Sequence, residues 1–172
     1  FIAPGNAGTQ QCGTNLNIAV LDFDEIEKAI EKHKIDLIIV GPEAPLVEGI
    51  YDHFKNHPVN VLGPSRASSQ LEGSKAFANE FMKEFNVPTA GYLTIGPNNI
   101  QEGLDYIDKQ PSKIVLKADG LAAGKGVLIL DSKEEAKEEL KLMLSGKFGD
   151  ASARVVIEEF LDGLEFSVFV LT

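Results

Sequence analysis

The stretch of this sequence best suited to chemistry is Lys113-Ile-Val-Leu-Lys-Ala-Asp-Gly-Leu-Ala-Ala-Gly-Lys-Gly-Val127. Gly120, Gly124 and Gly126, with alanines between them, let a loop joining two strands bring backbone N–H groups close to a polyphosphate. Lys117 at the end of the preceding strand and Lys125 within the loop can supply cations to the same anion. A lysine closing Ile114-Val-Leu-Lys117 must reach water or an anion, because burying an unpaired ammonium is costly. The spacing is not that of a P-loop. Lys125 is followed by Gly126 rather than Ser or Thr, and the loop leads into Val127-Leu-Ile-Leu rather than into a helix. The Rossmann glycine pattern is absent as well. A flexible hairpin loop with solvated lysines would show the same glycines.

A second constellation is Val155-Val-Ile-Glu-Glu-Phe-Leu-Asp-Gly-Leu-Glu-Phe-Ser167. A strand leaving its sheet over Glu158 to Leu161 would present free main-chain groups suited to the edge of an adenine. A carboxylate several residues on could accept hydrogen bonds from ribose hydroxyls. The alternative is a hairpin with a solvated acidic turn. Other polar residues carry less. His53 and His57 are four apart, a spacing that can bind a metal, but no third ligand is nearby and Pro58 ends the helix. Those two and His33 read as surface residues, and Cys12 reads as a plain thiol near a loop. The glutamates and lysines from Lys133 to Lys141 read as the wet side of a helix.

The elements that must position these residues fall into two groups. In the first, Asn17 to Leu21 reads as a short strand, and Asp22 as an N-cap with Glu25 three residues on. Ile35 to Val40 reads as a strand buried on both faces of a parallel sheet. Residues 45 to 57 read as helical, and Val59 to Leu62 as a further strand. Alternating strands and helices favour a doubly wound α/β sheet. Ser74 to Phe85 reads as a helix with an apolar stripe of Phe77, Ala78, Phe81, Met82 and Phe85, ended by Asn86-Val-Pro88.

In the second group, Tyr92 to Ile95 reads as extended and Asn98 to Lys109 as helical. Lys113 to Lys117 and Gly126 to Leu130 are strands flanking the glycine loop. Ser132 to Glu135 is a capping box for a helix whose core face is Ala136, Leu140, Met143 and Leu144. Arg154 to Phe160 and Glu165 to Leu171 read as paired strands around Asp162-Gly163. This makes a small α+β lobe. The boundary is expected between residues 64 and 74, giving domains 1–70 and 71–172.

Length and composition set limits on function. A chain of 172 residues with 44% hydrophobic and 24% charged residues can bury a substantial core. Its net charge of −10 argues against nucleic acid or anionic membranes as partners. One cysteine excludes an internal disulfide and fits a reducing compartment, so a cytoplasmic location is expected. No apolar run is long enough to span a bilayer, and no signal peptide is evident. Phe1-Ile-Ala reads as the end of a strand, and Phe166 to Thr172 as a strand without a terminating turn. Both predict a segment of a longer polypeptide.

Five motifs occur in order: Pro4-Gly-Asn-Ala-Gly-Thr9, Gly41-Pro-Glu-Ala-Pro-Leu-Val47, Gly73-Ser-Lys-Ala-Phe77, Lys117-Ala-Asp-Gly-Leu-Ala-Ala-Gly-Lys-Gly-Val127 and Ile157-Glu-Glu-Phe-Leu-Asp-Gly163. Together they closely resemble the phosphoribosylamine–glycine ligase (glycinamide ribonucleotide synthetase) family, ATP-grasp enzymes of purine biosynthesis. The resemblance covers essentially the whole sequence. It implies a truncated doubly wound parallel sheet of the pre-ATP-grasp type, followed by the small α+β lobe of an ATP-grasp fold. It also implies the reaction: with ATP and Mg²⁺, the glycine carboxylate is phosphorylated and the nitrogen of 5-phosphoribosylamine attacks the glycyl phosphate. Charge neutralisation and alignment would carry such catalysis.

By the same resemblance, Lys75 and Lys117 match the two lysines that touch the nucleotide phosphates. Gly120 to Gly126, with Gly124 and Lys125, matches the mobile loop that closes over the triphosphate. The Glu158 side chain would lie near the adenine amino group, with main chain at Glu159 and Leu161 completing the hinge, and Glu165 matches the ribose carboxylate. Asn6, Gly8, Gly41, Pro42 and Glu43 would lie on a wall of the ribosylamine cleft. Where the family usually has Asp-Gly-Glu-Glu, this chain has Asp162-Gly-Leu-Glu165. The family's opening glycine-rich loop and its late acidic Mg²⁺ motif would lie outside the segment, which alone is expected to lack ligase activity. Within the superfamily, another carboxylate–amine ligase or a biotin-carboxylase-like enzyme is the alternative, although Gly41-Pro-Glu-Ala-Pro argues against it. A non-catalytic nucleotide-binding module is the alternative from another class.

Overall fold

A computed structural model of the protein describes residues 1–111, 113–168 and 170. The chain divides into two compact units, Phe1–Ser74 and Lys75–Thr172.

In the first unit, Asp22 accepts the Glu25 N–H at 3.1 Å and starts α1 (Phe23–His33). Strands β1 (Leu37–Ile39) and β2 (Asn60–Leu62) pair in parallel, with Ile38 opposite Val61. Between them Gly49, in the left-handed region at φ +92°, divides the expected helix into α2 (Glu43–Glu48) and α3 (Ile50–Phe54). Ile30, Ile50, Phe54 and Val59 form the core, joined by Ile38 and Val61. Three sequence expectations change here. No strand forms over Asn17 to Leu21: a single parallel bridge joins Ile2 to Asn15 just before it, and the Ile18 N–H bonds Leu16 O within the chain's own turn. β1 is covered on one face only: Ile38 turns inward, whereas Ile39 is 70% exposed. A helix with no counterpart in the sequence reading, α4 (Arg66–Gly73), is capped by Ser65, whose hydroxyl accepts the Ser68 N–H.

The second unit is a four-stranded antiparallel sheet in the order β3-β6-β4-β5, built from β3 (Tyr92–Ile95), β4 (Ile114–Ala118), β5 (Val127–Leu130) and β6 (Val155–Glu159). Helices α6 (Ile100–Lys109) and α7 (Lys133–Leu142) contribute Ile107, Ala136 and Leu140 to its main core, which continues into Met143. Ser132 caps α7 by accepting the Glu135 N–H. At that helix start the Glu134 carboxyl sits below its ordinary range, held first by its own backbone N–H and then by the Ser132 hydroxyl. Alternation sends Ile114, Leu116, Ala118, Val155 and Ile157 into this core. Val115, Lys117, Val156 and Glu158 therefore share the opposite face.

Two expectations fail in this unit. The described part of Glu165 to Leu171 does not pair with β6: residues 164–168 form no strand, and Leu164 is 96% exposed. Both edges of β6 are already occupied, by β3 and β4, so a hairpin partner has nowhere to bond. Phe169 and Leu171 of that expected strand lie outside the described residues. In α5 (Lys75–Glu84) the apolar stripe is not the buried face. Phe77, Phe81 and Phe85 are exposed, and Ala76 and Asn79 are buried instead. Among the described residues no helix is long and apolar enough to cross a membrane.

Candidate functional site

Strand register decides where the first lysine points. Lys117 lies opposite Val156, and Val115 lies opposite Glu158, so Lys117 and Glu158 are diagonal neighbours on the face turned away from the core. Their side chains meet, with Lys117 Nζ 2.6 Å from Glu158 Oε2. The other oxygen, Glu158 Oε1, accepts a hydrogen bond from Asn79 Nδ2 at 3.2 Å. Glu158 is 7% exposed, so this carboxylate is taken out of water with both oxygens satisfied. Its partners fix the orientation of Lys117, and the ammonium stays half-buried at the surface of the sheet.

Two residues beyond Lys117, Asp119 gathers the start of the glycine loop. Asp119 Oδ1 accepts the Ala76 N–H at 2.8 Å, and its carbonyl accepts the Lys75 N–H at 3.1 Å. Asp119 Oδ2 accepts from Arg154 Nε at 3.0 Å and from Arg154 Nη2 at 2.6 Å. Lys75 Nζ in turn donates to Gly120 O at 3.3 Å. Lys75, Lys117, Gly120 and Glu158 thus belong to one hydrogen-bonded neighbourhood, linked through α5 and β4.

The loop itself is pinned at its base and open at its tip. Ala118 N–H bonds Gly126 O at 2.7 Å, and Gly120 N–H bonds Ala151 O at 3.0 Å. A Cβ at Gly126 would lie 2.7 Å from the Ala122 Cβ, and one at Gly120 would lie 3.0 Å from the Ala151 Cα, so a side chain at either position would force its neighbours to shift. At the tip, Lys125 N–H returns to Ala122 O at 2.9 Å. Ala123 and Gly124 have φ of 49° and 76°, the signs a type I′ turn requires at both central residues. Among the described residues the N–H groups of Leu121, Ala122, Ala123 and Gly124 have no hydrogen-bond partner. Free amides beside Lys75, Lys117 and the exposed Lys125 form a donor set that fits a polyphosphate. No group of three or more His, Cys, Asp and Glu able to hold a metal ion occurs among the described residues.

The remaining expected positions are arranged differently. Glu159 is tied to Gly91, donating its N–H to the Gly91 carbonyl and accepting the Gly91 N–H on Oε1, both at 2.9 Å. Its main-chain N–H is therefore committed, and the chain leaves the sheet only after it. Leu161 and Glu165 are exposed on that departing segment and do not join the Lys117 neighbourhood.

In the first unit the Asn6 side chain is consumed by its own turn, where Oδ1 accepts the N–H groups of Gly8 at 2.8 Å and Thr9 at 3.0 Å. Gly41, Pro42 and Glu43 are exposed where β1 runs into α2. Beside them lies a cavity of about 540 Å³ with mainly apolar walls, including Ile2, Ile18, Ile38 and Val40. Sequence reasoning missed Asn79, Asp119 and Arg154. Asp119 sits inside the glycine motif, which was its only signal. Nothing local distinguishes the other two.

Residues 1–72 match the profile of the phosphoribosylglycinamide synthetase N domain, and residues 73–172 that of its ATP-grasp (A) domain. The phosphoribosylamine–glycine ligases of Vibrio vulnificus (strain YJ016) and Escherichia coli (strain K12) are 48% and 46% identical to this chain over 174 aligned positions. Those alignments take in 99% of this chain but 40% of each relative, so the chain spans about two-fifths of their length. The crystal structure of phosphoribosylamine–glycine ligase from Thermotoga maritima matches with a TM-score of 0.72 at 37% identity, over 94% of this chain and 37% of that one. D-alanine–D-alanine ligase from Bacillus anthracis complexed with ATP matches with a TM-score of 0.63 at 20% identity, over 87% of this chain and 46% of that one. At that identity the likeness is one of fold.

Proposed function

Because the chain belongs to the phosphoribosylglycinamide synthetase family, we propose that it forms part of a cytoplasmic ATP-dependent ligase joining glycine to 5-phosphoribosylamine in purine biosynthesis. ATP-grasp ligases as a class work with ATP and Mg²⁺. The observation that carries the reading for this chain is the joining of Lys75 and Lys117, through Asp119 and Glu158, at the foot of a loop with unpartnered amides.

The chemistry follows from what a carboxylate lacks. It is a poor acyl donor at neutral pH, and ATP supplies a phosphoryl group that gives it a leaving group. The residues of this chain then act by position and charge. Lys117 and Lys75 neutralise the phosphate oxygens, and the N–H groups of Leu121 to Gly124, with Lys125, close over them from the loop. Gly120 and Gly126 keep the loop's two feet close to their neighbours. The Glu158 carboxylate acts first on Lys117, whose ammonium it orients, and the main chain beyond Glu159, at Leu161, serves the adenine edge. Glu165 is the ribose acceptor in this reading. In the first unit, Gly41, Pro42 and Glu43 stand at the carboxyl end of a parallel strand, where open α/β sheets receive ligands. Asn6 acts there by shaping the turn that presents Gly8.

The experiment is ADP release by the complete polypeptide, with glycine plus 5-phosphoribosylamine compared against bicarbonate. Release that depends on both glycine and the ribosylamine is expected. Lys117→Ala should lower turnover at limiting ATP by about 10- to 100-fold, the scale of a lost charge-assisted contact. Release driven by bicarbonate, or an ATP dependence unchanged in Lys117→Ala, would overturn the assignment.

A further inference from the structure

We propose that Asp119 and Arg154 are a positioning pair: together they hold Lys75 and the first residue of the glycine loop in register with Lys117. The proposal rests on the reading that both lysines serve the phosphates of ATP.

Helix α5 starts at Lys75, directly after Ser74 ends α4 in an extended conformation. Its first amides are satisfied from a distant part of the sequence. The Asp119 carbonyl takes the Lys75 N–H, and Asp119 Oδ1 takes the Ala76 N–H. A carboxylate at a helix N-terminus is favoured by the amides there and by the macrodipole, so Asp119 serves the start of α5 from 43 residues away in the sequence.

A cap needs one oxygen. The second, Oδ2, is gripped by two nitrogens of Arg154, and the Asp119 N–H bonds the Arg154 carbonyl at 3.1 Å. The two carboxylate oxygens are thus held by different segments, Oδ1 by α5 and Oδ2 by Arg154, a constraint that a single hydrogen bond lacks. Asp119 is 7% exposed while the Arg154 side chain is 55% exposed, so the pair does not serve to bury two charges. Its effect is to lock three backbone segments together: the start of α5, the exit of β4 and the approach to β6. Lys75 Nζ meets Gly120 O within that lock. If Arg154 is removed, Asp119 keeps the Ala76 amide on Oδ1 but loses the two charged donors on Oδ2. The foot of the loop and Lys75 then lose their common reference to Lys117.

The test separates phosphate recognition from folding. In the complete polypeptide, dissociation constants for ATP and for adenosine are measured for the wild type, Arg154→Ala and Arg154→Lys. Arg154→Ala should weaken ATP about tenfold while adenosine changes by less than about twofold, as expected for a lost charge-assisted bond acting on phosphate contacts. Arg154→Lys, which keeps the charge without the fork, should recover part of the loss. Equal weakening of both ligands, or no change in either, would overturn the proposal. Should Arg154→Ala fail to fold, Asp119→Asn decides by the same ratio, because it keeps an oxygen for the Ala76 amide and loses the charge that Arg154 grips. A wild type that does not bind ATP would take down the functional reading and this inference together. A wild type that binds ATP, with variants of unchanged selectivity, would remove only this inference.

Discussion

The protein carries two glycine-containing loops that look alike in sequence and are built in opposite ways. The loop over residues 4–9 is closed on itself. Asn6 Oδ1 holds two amides, Thr9 Oγ1 accepts the Asn6 N–H at 2.7 Å, and Asn15 Nδ2 donates to the Asn6 carbonyl at 2.7 Å. The loop over residues 120–126 is bonded to other segments at its feet, and apart from the Lys125 N–H, which returns to Ala122 O, the amides of its tip have no partner among the described residues. Both contain a glycine at nearly the same backbone angle, Gly5 at φ +75° and Gly124 at φ +76°. A Cβ at Gly5 would sit 2.3 Å from the Asn15 side chain, whereas one at Gly124 would meet nothing within 4 Å. A loop that spends its polar groups on itself is scaffold. One that withholds them has donors left for a ligand.

Gly5→Ala is the most severe way to break the contrast. It adds left-handed strain to a steric overlap with Asn15, and together these should cost the first unit about 2–4 kcal/mol. Urea denaturation followed by a probe in that unit reads the loss, and a change within experimental error would mean that the first loop is as loose as the second. Asn6→Ala is a milder break, since it strips the acceptor from two amides that water can partly replace. A loss of about 1–2 kcal/mol is expected, on the scale of a lost cap. ATP affinity should be unchanged, which isothermal titration of the complete polypeptide would check. A drop in ATP affinity would give Asn6 a role beyond its turn.

The same contrast explains what could be read from the sequence. Signals confined to a few residues came through: the Asp22 and Ser132 caps, the strand ending in Lys117 and the glycine hairpin all rest on neighbours in the chain. The outward direction of Lys117 also follows from strand alternation once Ile114 and Leu116 are inside. The links that organise the site were not legible, because Asn79 meets Glu158 across 79 residues and Arg154 meets Asp119 across 35. Helical periodicity even pointed to the wrong face of α5. It favoured Phe77, Phe81 and Phe85, yet the sheet takes the small Ala76 and the polar Asn79, the latter because Glu158 needs a donor. The expected strand after Asp162 failed for a topological reason: a hairpin signal does not reveal that both edges of β6 are taken.

Gly124→Ala sharpens the comparison with the smallest effect. With open space around the new methyl, only the backbone preference remains, a cost of about 1 kcal/mol. Part of that is relieved because the unbonded amides of the tip let the turn relax, and Ala123 already holds a positive φ beside it. The variant should therefore melt within a few degrees of the wild type, as about 1 kcal/mol implies for a protein of this size. Its signature should appear in hydrogen exchange instead: amides 121–124 exchange fast without nucleotide in both proteins, and ATP slows them less in the variant. If Gly124→Ala destabilised the protein as much as Gly5→Ala, the tip would have to be packed against something as firmly as Gly5 is against Asn15. The two loops would then be built alike.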